Sequence, residues 1–393
     1  MNAPQNDLAF LRRARQRSLV VGIVALIVGV IGAFFDRQQF FRSYLVGYTF
    51  WLGIPLGAFG VLMIHHLVGG TWGFIIQRLL ESAIRTFPVT ALLFLPILLG
   101  ISDLYLWARP EALAQDEILR QKTIYLNIPF FVLRAILYFA IWTSVGYLLT
   151  KWSDDQDRTA DGILTQRLQR LSGPGLVLYG LTVTFSAIDW IMSLEPRWYS
   201  SIYGMIFMVS HGLVALAFVV GFGLLLWDRR PLTNVTASWV YQDLGNLLLA
   251  FVMLWAYTSF SQFLLVWVEN LENEIPWYLR RIAGGWGGVA AALIVFQFAL
   301  PFVLLLSRTI KRKKETLCII AFVIVFMHLV EIFWFVEPAF QAGAFSVHWL
   351  DVLVPVGIGG LWLSAFLWQL ESRSLYPLHD PRFVAILDAT GGE

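Results

Sequence analysis

His328 and Glu331 stand three residues apart in a stretch with almost no other charge, a spacing that puts both side chains on one face of a helix. Six further residues join them as candidates for chemistry: His66, Asp103, Arg134, Asp189, His211 and Asn246. A charged group at mid-membrane costs about 2.5–3.5 kcal/mol on insertion scales, so each one asks for a reason. Three chemistries fit the set. A buried imidazole beside a carboxylate can accept the two protons released when a quinol is oxidised, with aromatic rings packed on the headgroup. A chain of Asp, Glu and His can relay protons partway through a membrane. His211 and His328, about 12–14 Å below one membrane boundary by helical rise, are also placed to be the axial ligands of a b-type haem. A structural reading competes with all three: Asp189 and Arg134 pair to hold helices together, Asp103 and Asp351 sit wet at helix ends, and the histidines serve interhelical hydrogen bonds. His65 and His66 project roughly 100° apart, so at most one is expected to face the interior. No pattern reads as a catalytic constellation or a metal site.

The elements that must position these groups follow from composition. The 393 residues are 58% hydrophobic and 14% charged, against about 45–50% and about 25% in soluble domains. Mean hydropathy is +0.69. Such a chain cannot cover a soluble surface and is too apolar to be disordered. Cys318 is the only cysteine, which excludes a disulfide framework, Cys-ligated iron–sulfur clusters and the C-x-x-C-H attachment of covalent haem. A net charge of +2 argues against a nucleic-acid partner. The partners to expect are lipids.

Ten stretches reach the roughly 20 apolar residues that a crossing needs: Leu19–Phe35, Tyr44–Val68, Phe87–Trp107, Tyr125–Thr150, Pro174–Leu194, Ile202–Trp227, Leu244–Val268, Ala283–Ser307, Thr316–Val336 and Trp349–Leu370. Continuous runs, not alternating ten-residue segments, predict helices and no β-barrel. The fold class is therefore an all-α membrane protein with ten transmembrane helices and no soluble domain. An arm (1–18) and a tail (371–393) flank one integral membrane domain, and the arm's arginines precede no signal-peptide cleavage site. Lys and Arg number 19 on the side holding the N-terminus and 8 on the other, which puts both termini in the cytoplasm. Arg78 and Arg85 enter that count as loop residues. The titratable groups then concentrate toward the outer leaflet.

Four segments resemble one membrane subunit of bacterial alternative complex III: FWLGIPLGAFGVLMIHHLVGGTWG (Phe50–Gly73), SAIDWIMSLEPRWYSSIYG (Ser186–Gly204), DLGNLLLAFVMLWAYTSFSQFLLVW (Asp243–Trp267) and ENEIPWYLRRIAGGWG (Glu272–Gly287). They cover helices 2 to 8. The match is to the smaller of two related ten-helix subunits, the ActF type, itself similar to NrfD or polysulfide-reductase-like membrane anchors. The resemblance implies two four-helix bundles, helices 2–5 (44–194) and 6–9 (202–336), flanked by helices 1 and 10. It implies a bacterial inner-membrane complex that oxidises quinol, such as menaquinol, and reduces cytochrome c or another periplasmic carrier in respiratory or photosynthetic electron transport. Haem c and iron–sulfur clusters would belong to partner subunits, among them an iron–sulfur subunit and the related ten-helix subunit, with no redox cofactor bound by this chain. His66, Asp103, Arg134 and Asp189 would line the first bundle, and His211, Asn246, His328 and Glu331 the second, as a quinol site or a proton pathway.

Two other functions compete. A structural anchor for extrinsic subunits needs no quinol site of its own. A secondary transporter would place broken helices and ion ligands at mid-membrane, whereas no pair of helices in corresponding halves reads as interrupted here.

Overall fold

The structure is a computed structural model that describes residues 5–159, 161–227, 238–341 and 343–372. The first four residues of the arm, Arg229, Arg230 and nearly all of the tail lie outside these. The described residues are helical, with no strand among them. Ten helices are long and apolar enough to cross a membrane: α1 (Ala9–Ala33), α2 (Arg37–Val68), α3 (Trp72–Leu99), α4 (Ile128–Thr159), α5 (Gly162–Leu194), α6 (Tyr203–Leu226), α7 (Val240–Glu269), α8 (Trp286–Leu306), α9 (Lys314–Ala339) and α10 (Leu350–Glu371). This makes a multi-pass membrane protein. The face where α1 begins is called the near face below, and the opposite one the far face.

One helix organises the rest. The apolar window of α2 is 94% buried, against 22% for α1 and for α8, so α2 is a core helix on every side. It touches α3, α5, α6, α9 and α10. Around it, α3, α4 and α5 follow in contact, and α6, α7, α8 and α9 form a second closed circuit, with α5–α6 contacts joining the two groups. Helices α1 and α10 pair with each other and lean on α2.

Small residues permit these approaches, as they do wherever apolar helices must pack without a hydrophobic driving force between them. A Cβ on Gly22 would lie 2.7 Å from the backbone nitrogen of Leu361, and one on Gly47 would lie 2.8 Å from the Pro355 Cα. At Gly57 the clash would be with the His211 carbonyl oxygen, at 1.8 Å. The α2–α6 crossing is therefore backbone on backbone.

Two helices are irregular, contrary to the expectation from the sequence. In α3, helical segments end at Ile84, Leu93 and Leu99. Pro88 and Pro96 explain the breaks, because each removes a backbone donor and its ring clashes with a carbonyl one turn earlier. In α8, residues Leu293–Ala299 form a π-helix directly before Pro301, which cannot donate to the carbonyl of Gln297. The regular four-residue ladder cannot pass that point. A wider turn carries Gln297 inward, where it is fully buried.

Helix starts also moved. Thr71–Ile84 is helical, so Arg78 and Arg85 lie within α3 and not in a connecting loop. Their buried ionic partners, described below, make a charged turn compatible with an apolar bundle.

Candidate functional site

Glu331 sits in mid-helix on α9, 1% exposed, with four donors around its two oxygens. Trp255 on α7 donates from Nε1 to Oε1 at 2.6 Å. Gln297 donates its amide N–H to Oε2 at 3.1 Å, Ser210 on α6 donates its hydroxyl to the same oxygen, and His328 Nδ1 lies 2.9 Å away. With the proton of His328 on Nδ1, the tautomer this surrounding calls for, four donors and no acceptor are the complement of an ionised carboxylate. The Ser210 hydroxyl also lies 3.0 Å from His328 Nδ1. Elements α6, α7, α8 and α9 thus meet on one carboxyl group, and each supplies a partner.

His211 completes the group from α6. Its ring centroid is 5.9 Å from that of His328, nearly perpendicular, and both residues are buried. Neither nitrogen of His211 has a hydrogen-bond partner, nor does Nε2 of His328. Gly53 on α2 makes the meeting possible. A Cβ there would stand 2.8 Å from His211 Cδ2, 3.1 Å from His328 Nε2 and 3.3 Å from His211 Nε2. The two open Nε2 atoms therefore flank the same small gap.

A haem does not fit between these rings. Both Nε2 atoms face the α2 backbone at Gly53, Phe50 packs 5.8 Å from His328 and Phe207 5.6 Å from His211, and the adjoining cavity holds about 10 Å³. A macrocycle has no plane to occupy. The same volume admits one water molecule and excludes a quinol ring.

Arg134 and Asp189 pair across α4 and α5, and both are buried. The guanidinium donates from Nε at 2.7 Å and from a second nitrogen at 2.9 Å to the two carboxylate oxygens, the fork geometry that suits arginine. Tyr138 adds a hydroxyl donor to Asp189 at 2.7 Å. Arg134 also bonds the Tyr125 carbonyl and lies over the Tyr125 and Phe130 rings at 3.9 and 4.3 Å.

The other sequence candidates stand apart from these two centres. Asp103 is at the far face, where it accepts from Arg37 at 2.9 Å, a solvated pair. Asn246 is exposed near the near face and accepts from Lys311 at 2.5 Å. Lys311 lies outside the spans, and burial lowers its ammonium from the ordinary lysine value. His66 is on the near half of α2, 1% exposed, and His65 beside it is equally buried. Ile64, Leu67 and Val68 leave part of this end of α2 exposed, so the expectation that at most one of the pair is covered fails for a local reason. Trp72 and Phe74, after the α2–α3 turn, close over His65 with centroids at 5.3 and 4.8 Å.

Near those histidines lies a charge network that the sequence reading missed. Arg78 is 2% exposed and bonds Glu81 at 2.6 Å, together with Asp157 on α4. Ser153 donates to Glu81 at 2.7 Å, and Arg85 pairs with Asp154 at 2.5 Å. The available signal was the alternation of Arg78, Glu81 and Arg85 at helical spacing, facing Asp154 and Asp157 at the same depth. Glu81→Ala leaves Arg78 buried with less compensation. It is expected to cost about 3–5 kcal/mol, read as loss of folded protein in mild detergent, while Arg85→Ala at the solvated edge is expected to have a small effect.

Ser210, Trp255 and Gln297 were also missed. Neutral polar groups in apolar helices are inexpensive enough to pass unmarked, although Pro301 was an available signal for the irregular turn that delivers Gln297. Among the described residues no group of three or more His, Cys, Asp and Glu is arranged to hold a metal ion. Comparison of the chain with protein-family models and with curated proteins gives no match.

Proposed function

We propose that this chain is the proton-handling membrane subunit of a quinol-oxidising electron-transport complex of the alternative complex III type. The observation that carries the reading is the Glu331 centre. A carboxyl held by four donors from four helices, with two imidazoles whose Nε2 atoms are open, is a costly arrangement in an apolar interior. It is suited to accepting and passing a proton at His328 Nε2 while Glu331 fixes the ring through Nδ1. The neighbouring space suits water and not a quinol ring, so the reading favours proton transfer over quinol binding at this centre. Redox chemistry would lie in partner subunits carrying haem c and iron–sulfur clusters, with quinol oxidised beside the related ten-helix subunit and electrons passed to cytochrome c or another periplasmic carrier. The bias of basic residues, 17 to 8 once Arg78 and Arg85 are counted within α3 (19 − 2), supports a bacterial inner membrane with both termini, and so the near face, in the cytoplasm.

The test is purification of the tagged chain from native membranes. It is expected to bring haem- and iron–sulfur-bearing subunits and quinol:acceptor activity with it. Glu331→Gln in that complex is expected to lower proton release coupled to turnover by at least about tenfold. A chain that purifies alone, with no redox partner, overturns the assignment. Wild-type turnover and proton release in a His328→Ala, Glu331→Ala double variant would reduce the role to that of a structural anchor.

A further inference from the structure

The open nitrogens of His211 raise the question of where a proton goes next. The direct path toward the far face is closed by aromatic rings. Phe207 packs 5.3 Å from Phe335 and 5.1 Å from Tyr203, and Tyr203 lies 5.7 Å from Phe335. Beyond them Trp277 is capped by the Arg281 guanidinium at 3.7 Å, and Arg281 is locked to Glu195 at 2.7 Å and to the Phe335 carbonyl at 2.8 Å. All four rings are buried. The titratable groups of this stack are the Tyr203 phenol and, beyond the rings, the Glu195 carboxylate held by Arg281.

Sideways the surroundings differ. The cavity of about 10 Å³ beside His211 lies where α2, α5 and α6 meet, and Thr49, Ser186 and Trp190 contribute to its wall. Thr49 Oγ1, Trp190 Nε1 and both His211 nitrogens are buried without a partner. Three residues that wall one water-sized space thus carry unpaired polar atoms, against the rule that buried polar groups are paired. An indole N–H can only donate, a hydroxyl can do both, and a neutral imidazole offers one donor and one acceptor. One water bonded to Thr49, to Trp190 and to a single nitrogen of His211 would pair three of these atoms.

We propose that this cavity is a water-binding site and that the water carries protons laterally, from the Glu331–His328–His211 centre in one group of helices to Asp189 in the other. The water site stands on geometry alone, and its use as a proton link rests on the function proposed above. On α5, Ser186 lines the cavity and Asp189 follows three residues later on the same face. Asp189 is held by Arg134, which lies over Tyr125. Tyr125 in turn lines a larger cavity of about 380 Å³, together with Lys122, Ile188, Met192, Trp198 and Tyr199. That cavity is at the far face, where Tyr199 is 58% exposed. Helix α5 thus carries the small cavity on one side of Asp189 and the large one on the other. No electron moves in this step: a proton enters the centre at His328 as one leaves His211 for the water, and Asp189 is the acceptor beyond it.

The test follows exchange of the Glu331–His328 centre into D₂O in the full chain, purified with whatever subunits accompany it, by infrared spectroscopy with Glu331→Gln identifying the signals. Thr49→Val combined with Trp190→Phe is expected to slow exchange by about tenfold or more, the effect of raising one barrier by about 1.4 kcal/mol. Thr49→Ser keeps the hydroxyl and is expected to exchange at the wild-type rate. Wild-type exchange in the double variant overturns the lateral link. So does slowing by Tyr203→Phe, which would mean that the path runs through the phenol of the aromatic stack. Should the double variant not fold, a density map resolving ordered water decides: a water within bonding distance of His211 and Thr49 supports the site, and a dry cavity sinks it. Failure here leaves co-purification and turnover untouched, so the two proposals fall separately.

Discussion

Arg134→Leu is expected to be among the most damaging single substitutions in this chain, worse than Asp189→Leu, and the double substitution is expected to be milder than Arg134→Leu alone. The reason is an asymmetry in what each partner keeps. Asp189 is short, has no exposed surface and would retain neutral hydroxyl donors such as Tyr138 but no positive charge, so removing Arg134 strands a buried carboxylate. Arg134 would retain the Tyr125 carbonyl and two aromatic faces, and its long side chain can shift toward the far face. Breaking a buried pair from one side costs about 3–5 kcal/mol, whereas replacing both members by apolar groups is often near neutral. The measurement is the yield of monodisperse protein after detergent extraction and its thermal midpoint, for both single variants and the double. Equal damage from all three would show that the pair does not hold α4 to α5.

Much of this was readable before any coordinates. The ten crossings announce themselves because hydrocarbon demands about 20 apolar residues per helix, and the charges stand out against that background. Arg134 and Asp189, two opposite charges at similar depth, could be matched from their positions in neighbouring helices. His328 and Glu331 share a face by spacing alone. What periodicity could not show was enclosure. An amphipathic pattern separates a lipid face from a core face, but Trp72 and Phe74 fold back over His65 after the α2–α3 turn, so two residues roughly 100° apart on α2 are both buried. Nor could it show which partners arrive from other helices. Ser210, Trp255 and Gln297 are ordinary residues in the sequence, and only the packing of α6, α7 and α8 on α9 makes them donors to Glu331.

The charge network around Arg78 shows a different limit. Read as a membrane boundary, Arg78, Glu81 and Arg85 end a hydrophobic run. In the structure they lie within the span that begins at Trp72, because Asp154, Asp157 and Ser153 on α4 compensate them at the same depth. A charge marks the edge of a crossing only where nothing across the interface answers it.

Gly57→Ala is expected to abolish assembly of the folded chain, and Gly53→Ala to leave a folded chain with an altered Glu331–His328–His211 centre. Both glycines lie on the side of α2 that meets α6, one turn apart, yet the added methyl would meet different things. At Gly57 it would fall 1.8 Å from the His211 carbonyl oxygen and 2.3 Å from its carbonyl carbon. Backbone cannot rotate away, so α2 and α6 would have to separate along a crossing that joins the two groups of helices. At Gly53 the nearest atoms are side-chain atoms of His211 and His328, at 2.8 and 3.1 Å, and an imidazole can yield by several tenths of an ångström. The cost there is one of overpacking, about 1–3 kcal/mol, and it is paid in the orientation of the two rings. Extraction yield should therefore collapse for Gly57→Ala and persist for Gly53→Ala, while the imidazole and carboxylate infrared bands of the Gly53 variant shift. A well-folded Gly57→Ala chain would mean that the helices do not cross as closely as described, and the meeting of His211 with His328 would lose its physical basis.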